Sequence, residues 1–167
     1  LSSAKAIGVL KEAGSGVVVE GIVTDTVTSV LSSKVTTVTA KNDSDETVGA
    51  PATTSATGEF TLVVPAGTYK LVFTKGGFLS YTLTDVDVTA GLTDVNISLN
   101  SCAGDVDNNG VIELDDLQAV LTDYNKTTGL FRPNADVDDN GVVELDDLQR
   151  ILSNYNGTSI VISYTDR

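Results

Sequence analysis

The sequence predicts two domains, an antiparallel β-sandwich over residues 1–100 followed by a small all-α module over residues 101–167. Three observations carry that prediction. Residues 16–99 are rich in Val, Thr, Gly and Ser and fall into short alternating runs separated by turn signals. Residues 105–125 and 136–156 are near-copies, identical at fifteen of twenty-one positions. Behind the acidic start of each copy, apolar residues recur at helical spacing.

The alternating runs are Val17–Thr24, Val35–Lys41, Glu59–Val64, Thr68–Lys75, Ser80–Val88 and Thr93–Leu99. Asn42-Asp43, Thr57-Gly58, Pro65-Ala-Gly67 and Gly76-Gly77 separate them. Regular short strands with turns between them argue for a sandwich. Its predicted inward face comprises Val19, Ile22, Val38, Ala40, Phe60, Leu62, Tyr69, Leu71, Phe73, Phe78 and Val95. Residues 1–15 are ambiguous: Ala4–Glu12 has helical composition, Gly8 and Val9 oppose it, and an edge strand is the alternative. The apolar triplet Ile160-Val-Ile162 is expected to pair as a strand on the sandwich or to fold back over the start of the second module.

The acidic segments carry the chemistry. They read Asp105-Val-Asp-Asn-Asn-Gly-Val-Ile-Glu-Leu-Asp-Asp116 and Asp136-Val-Asp-Asp-Asn-Gly-Val-Val-Glu-Leu-Asp-Asp147. An EF-hand-type loop supplies oxygen ligands to calcium from positions 1, 3, 5, 7, 9 and 12. Those positions are Asp105, Asp107, Asn109, the Val111 carbonyl, Glu113 and Asp116 in the first copy. In the second they are Asp136, Asp138, Asn140, the Val142 carbonyl, Glu144 and Asp147. Gly110 and Gly141 stand at position 6, where the chain must turn sharply. Position 9 often acts through a water. Both copies end in Asp where the usual motif has Glu, so each loop must draw in for that carboxylate to grip with both oxygens. Two calcium ions are therefore the expected cofactors. Magnesium prefers fewer protein ligands in rigid octahedral geometry. Zinc is disfavoured by zero His and a single Cys.

The helical runs are Leu114, Leu117, Val120, Leu121, Tyr124 and Leu145, Leu148, Ile151, Leu152, Tyr155. An ordinary EF-hand has a helix on both sides of its loop. Here 100–104 and 131–135 lack helical periodicity, and Pro133 opposes helix just before it. A tandem pair of loop–helix calcium repeats without entering helices (F-hands) resembles the dockerin module of cellulosomes, over about Cys102 to Asn156. The shared pattern is D-V-D-x-N-G-V-[IV]-E-L-D-D-L-Q. The resemblance implies docking to a cohesin module of a scaffoldin or cell-surface anchoring protein. It implies partner contacts at Leu114, Asp115, Leu121 and Thr122 in the first repeat and at Leu145, Asp146, Leu152 and Ser153 in the second. Leu-Asp at positions 10 and 11, in place of small hydroxyl residues, leans toward the more hydrophobic, type II-like scaffoldin-anchoring kind.

For Leu117, Leu121, Leu148 and Leu152, a place in the core between the helices is the competing expectation, because so small a module has little else to bury. Leu114 and Leu145 are evenly balanced between core and interface. Asp115 and Asp146, at a position that ligates nothing, are the better interface residues, with a solvated charge as the alternative. Ala119 against Arg150 and Asp123 against Asn154 are expected to look outward and to break the symmetry of the repeats.

Gly21-Ile-Val-Thr-Asp25, Gly58-Glu-Phe-Thr-Leu-Val-Val-Pro-Ala-Gly-Thr-Tyr69, Gly77-Phe78 and Val88-Thr-Ala-Gly91 resemble carboxypeptidase-regulatory-like sandwiches. These are Ig-like, prealbumin-like folds that occur as X modules before certain dockerins. The resemblance implies a spacer or stabiliser of the dockerin and no catalysis. Tyr69, Phe73, Phe78 and Tyr81 are the one conceivable sugar-stacking platform, which the low aromatic count and absence of Trp argue against.

Composition narrows the rest. Net charge is −13, and eleven of the twenty-three acids lie in the two loops, so two calcium ions would neutralise four charges. No basic patch exists to meet nucleic acid phosphates. No apolar run is long enough to enter and cross a bilayer. Lone Cys102 is expected to be a buried apolar residue. Zero His removes the commonest general base, and no nucleophile–base constellation stands out, so an enzyme is not expected. Leu1-Ser-Ser-Ala-Lys5 is not a signal peptide, and an excised piece of a larger secreted protein, held at the cell surface through its partner, is the expectation. The rival reading is an EF-hand-type calcium sensor or buffer attached to a carbohydrate-binding or spacer sandwich.

Overall fold

The computed structural model describes residues 16–166 apart from 30, 31 and 33. The ambiguous segment 1–15 lies outside the described residues. The strands, in order, are β1 (Val17–Thr24), β2 (Thr37–Lys41), β3 (Thr47–Thr53), β4 (Glu59–Val64), β5 (Thr68–Thr74), β6 (Gly77–Phe78), β7 (Tyr81–Asp87), β8 (Ile97–Ser98) and β9 (Ala103–Asp105). Helices α1 (Leu114–Asp123) and α2 (Leu145–Ser153) follow, then β10 (Ile160–Ser163) and a closing 3-10 turn at Tyr164–Asp166.

Two sheets face each other. One runs β4-β1-β8 and the other β10-β7-β5-β2-β3, while β6 and β9 form a separate ribbon. The alternating runs become strands because one face of each is apolar. In β4, Phe60, Leu62 and Val64 point inward and Glu59, Thr61 and Val63 outward. Phe73 stands at the centre, edge-on to Phe60 at 5.7 Å and to Tyr81 at 6.3 Å between ring centres. Both are within the range favoured by aromatic quadrupoles.

Several expectations are corrected. The sandwich is mixed rather than purely antiparallel: β8 lies parallel to β1, and β10 parallel to β7. Ile22 is 43% exposed, and Gly21 and Val23 take the inward places beside Val19. The reason is parity, since residues 19 and 22 cannot share a face in a strand of period two. Tyr69 is half-buried, its hydroxyl donating to the Pro65 carbonyl at 3.0 Å. The edge strand β3 escaped prediction because Gly49 and Pro51 interrupt its pattern. Thr93–Leu99 contracts to the two residues of β8.

The all-α expectation for residues 101–167 also gives way. β9 pairs with β6, and β10 extends the large sheet beside β7, with Ile160 opposite Tyr81 and Ile162 opposite Leu83. The end of the chain thus lends one strand, β10, to the large sheet, as expected for Ile160–Ile162, while β9 joins β6 in the separate ribbon. A single cluster of buried apolar residues runs from Val19 and Phe73 through Leu79, Leu99 and Cys102 to Ile112, Val143 and Ile151. Burial pushes the Cys102 thiol up to about 11, consistent with an inert packing role.

Candidate metal-binding loops and an exposed helical face

Each loop begins as an extended segment and turns back at its sixth residue. Gly110 and Gly141 have φ of +89° and +97°, the left-handed region in which a side chain is strained. Their N–H groups donate to the Asp105 and Asp136 carboxylates at 3.0 and 2.8 Å. The bonding then repeats almost atom for atom. One oxygen of Asp116 accepts the Val106 N–H at 2.7 Å and the Asp107 N–H at 3.3 Å, and its other oxygen accepts the Glu113 N–H at 2.8 Å. Asp147 does the same for Val137, Asp138 and Glu144, at 2.7, 3.3 and 2.8 Å. The bonds from Glu113 and Glu144 also satisfy a backbone donor at the start of each helix, so the last loop residue doubles as a helix cap.

Within each loop three carboxylates converge. Oxygens of Asp105, Asp107 and Asp116 lie within 4.8 Å of one another, as do those of Asp136, Asp138 and Asp147. Asn109 and Asn140 accept the Val111 and Val142 N–H groups, and their amides reach Glu113 and Glu144 at 3.2 Å. Val111 forms a bridge to Thr158. Glu113 and Glu144 thus lie beside each cluster without belonging to its inner three.

Like charges held this close, away from water, cost free energy unless a cation joins them. Burial pushes the Asp105 and Asp116 carboxyls above the ordinary aspartate range, with neighbouring acids adding to the effect. Asp138 is raised for the same reason. Asp147 is pushed up to about 6. Among the described residues, no lysine or arginine forms an ion pair with any of these six carboxylates. An all-oxygen set with three converging carboxylates can hold one hard cation per loop.

The two helices bury one side and expose the other in parallel. Val120 and Ile151 are fully buried, and Leu117 and Leu148 are half-buried against the core. Leu114 and Leu145 are each 55% exposed, and Leu121 and Leu152 each 59%. Leu121 and Leu152 are therefore not core residues, because Val120 and Ile151 occupy the inward position one residue earlier. Asp115, Thr122, Asp146 and Ser153 are exposed beside them. Thr122 and Ser153 turn their hydroxyls back to the carbonyls of Gln118 and Gln149, at 2.7 Å each. Tyr124 and Tyr155 extend the exposed apolar ridge at the end of each helix.

The expected outward pairs fare differently. Ala119 is buried while Arg150 is exposed. Asp123 is fully buried: it accepts the Lys126 ammonium at 2.8 Å and the N–H groups of Phe131 and Arg132 at 2.9 and 3.0 Å. Its counterpart Asn154 is half-buried and donates to the Ala103 carbonyl at 2.8 Å. This position therefore organises the connection behind each helix. The Asp and Asn side chains alone did not reveal that, because their partners are backbone groups distant in sequence. In the sandwich, Phe73, Phe78 and Tyr81 are buried, which leaves no stacking platform.

The comparisons divide along the chain. Residues 18–100 match the carboxypeptidase regulatory-like domain. The matched stretch contains β2 to β8 and all but the first residue of β1, and it stops short of β10, the remaining strand of the large sheet. The chain is similar in fold to the crystal structure of an N-terminal interface mutant of a type II cohesin–X-dockerin complex from Acetivibrio cellulolyticus. The TM-score is 0.64 at 24% identity, over 86% of this chain and 98% of that one. A C-terminal interface mutant of the same complex is similar at a TM-score of 0.61 and 24% identity, with the same coverage. A share of 86% exceeds what residues 18–100 can supply, so the likeness of fold runs past the regulatory-like domain into the loops and helices. No curated protein matches the sequence.

Proposed function

We propose that this chain is a non-catalytic, calcium-dependent docking module: a sandwich followed by a dockerin-type pair of loop–helix units that binds a cohesin. The observation that carries the reading is the duplication of one surface beside one acid cluster. Two clusters of three converging carboxylates each lead into a helix that exposes the same leucines, 114 and 121 in one repeat and 145 and 152 in the other. A monomer gains nothing from keeping such apolar side chains in water, whereas a partner surface does. The similarity in fold to type II cohesin–X-dockerin complexes supports the same reading.

In this proposal two calcium ions bind, one through Asp105, Asp107, Asn109, Glu113, Asp116 and the Val111 carbonyl, the other through Asp136, Asp138, Asn140, Glu144, Asp147 and the Val142 carbonyl. They neutralise the clustered carboxylates and stiffen both helices. Leu114, Asp115, Leu121 and Thr122, with Leu145, Asp146, Leu152 and Ser153, then meet the cohesin. The sandwich stabilises the module through β6–β9 and β7–β10. Such a module works outside the cell, attached to a surface or an assembly through its partner.

Calorimetric titration of cohesins of the enzyme-receptor and anchoring types, with calcium and again with chelator, tests this directly. Tight binding to an anchoring cohesin only in calcium is expected. Calcium uptake with no cohesin bound would leave a sensor or buffer instead.

A further inference from the structure

Within their twelve residues the two loops differ at two positions, Asn108 against Asp139 and Ile112 against Val143. The second is a conservative exchange between buried residues. The first changes a charge at a position that ligates nothing in the scheme above, and it has a spatial counterpart in the sandwich.

Asn108 meets a neutral donor, accepting the Gly77 N–H at 3.2 Å. Asp139 meets a cation. The Lys34 ammonium lies 3.8 Å from its carboxylate and donates to the Asp136 carbonyl at 2.7 Å. The Ser32 hydroxyl donates to the Asp139 carboxylate, and the Ser29 N–H donates to the Asp138 carbonyl at 2.6 Å. The Lys34 side chain is only 16% exposed, so its charge acts at reduced screening. The extra acid of the second loop thus stands where the sandwich delivers an ammonium to the start of that loop. Among the described residues, the first loop has no ion pair of this kind.

We propose that Lys34 is the resident counter-ion of the second loop, holding its first four residues folded against the sandwich when no metal is bound. The three carboxylates of a metal-free loop repel one another and favour opening. In the second loop a fixed positive charge, bonded to the backbone of its first residue and paired with its fourth, offsets that repulsion. The latch concerns the metal-free state, and it rests on the metal reading above only for its physiological meaning. It makes the two repeats unequal in spite of their matching hydrogen bonds, and it makes the sandwich an internal partner of one of them.

Amide hydrogen exchange of the full chain in chelator tests the latch, since Val106 and Gly110 report on the first loop and Val137 and Gly141 on the second. In Lys34→Met, which keeps most of the apolar stem, exchange at Val137 and Gly141 is expected to quicken about tenfold, with Val106 and Gly110 unchanged as internal controls for folding. Asp139→Asn should act in the same direction, the double variant should add little to either, and Lys34→Arg should stay close to wild type. No change in Lys34→Met and Asp139→Asn, or equal quickening of both loops, would overturn the latch. Adding calcium separates the two readings: if it slows neither loop while the Lys34→Met effect stands, the metal assignment fails and the latch remains.

Discussion

Ile112 and Val143 hold the same place in the two loops, and each is tied through its backbone to the chain leaving the other repeat's helix. Ile112 donates to the Gly157 carbonyl and accepts from Asn156, both at 2.9 Å. Val143 donates to the Lys126 carbonyl at 3.0 Å and accepts from Asn125 at 2.8 Å. Asn125 and Asn156 adopt φ of +64° and +63°, the left-handed turn that ends a helix, which Asn tolerates better than most residues. Neither repeat is therefore complete without the other.

Truncation at this crossing should damage both repeats. Ile112 is fully buried and reaches toward Gly104 of β9, which packs on Ile151 of α2, and toward Gly157 between α2 and β10. Ile112→Ala should cost about 2–4 kcal/mol, the usual range for a buried cavity of that size. Urea denaturation with and without calcium measures it, and the loss is expected in both conditions.

Close backbone approach makes any side chain at position 21 costly. A Cβ there would overlap the Val95 carbonyl oxygen, on a strand whose partners on both sides are set. Gly21→Ala must push β1 away from the Val95 segment, at a cost of about 1–3 kcal/mol, typical of overpacking. A lowered midpoint of thermal unfolding is the expected result. An unchanged midpoint would mean that the segment shifts freely.

The Asp25–Lys75 pair makes a contribution of definite sign to the pH dependence of stability. Burial alone would raise the Asp25 carboxyl, but the Lys75 ammonium and the Thr28 hydroxyl and N–H outweigh it and hold it below the ordinary aspartate range. A group depressed in the folded state binds fewer protons there than in the unfolded chain. Its stabilisation is complete above about pH 5 and fades as pH falls through the ordinary aspartate value of about 3.9 toward the folded one. Asp25→Asn should lower stability at neutral pH and flatten the acid limb of the stability curve between about pH 5 and 3.

The exposed leucines should separate binding from folding. Leu121→Ala and Leu152→Ala change stability by less than about 0.5 kcal/mol, because their side chains remain largely in water. The pair together should abolish measurable cohesin binding. Leu145→Ala with Asp146→Ala alone tests symmetry: complete loss of affinity would argue against a usable second orientation.

Calcium removal should act on the loops before the sandwich. If each loop holds one ion as proposed, free calcium at about a thousand times the dissociation constant would add about 4 kcal/mol per site to the folded state. Chelation should therefore produce a lower-temperature transition reported by helical circular dichroism. A melting curve indifferent to chelator would remove calcium from the account.

Much of this was legible in the residues. The strand alternation of Phe60, Leu62 and Val64 and the 3.6-residue spacing of Leu117, Val120 and Tyr124 are local signals, set by which side chains one element can hide. The glycines at 110 and 141 likewise announce a turn that their neighbours require. Parity was available too, and would have replaced Ile22 with Val23. The destinations of Asp123, Lys34 and Leu121 were not legible. A buried aspartate that collects Phe131 and Arg132 looks the same in sequence as a solvated one, and a lysine in a Ser-rich stretch carries no mark of the loop about a hundred residues away.

By itself the sequence determined the period of each element, the two acid-rich loops and the oxygen donors they carry, because these depend on neighbours within a dozen residues. Only the tertiary structure decided which of its two expected places Ile160–Ile162 takes, that the loops exchange partners at Ile112 and Val143, and that Leu121 and Leu152 face solvent. Each of those outcomes is a choice between packing partners far apart in the chain. The choice turns on which buried surface and hydrogen bonds can be satisfied at once, a sum that no local pattern contains.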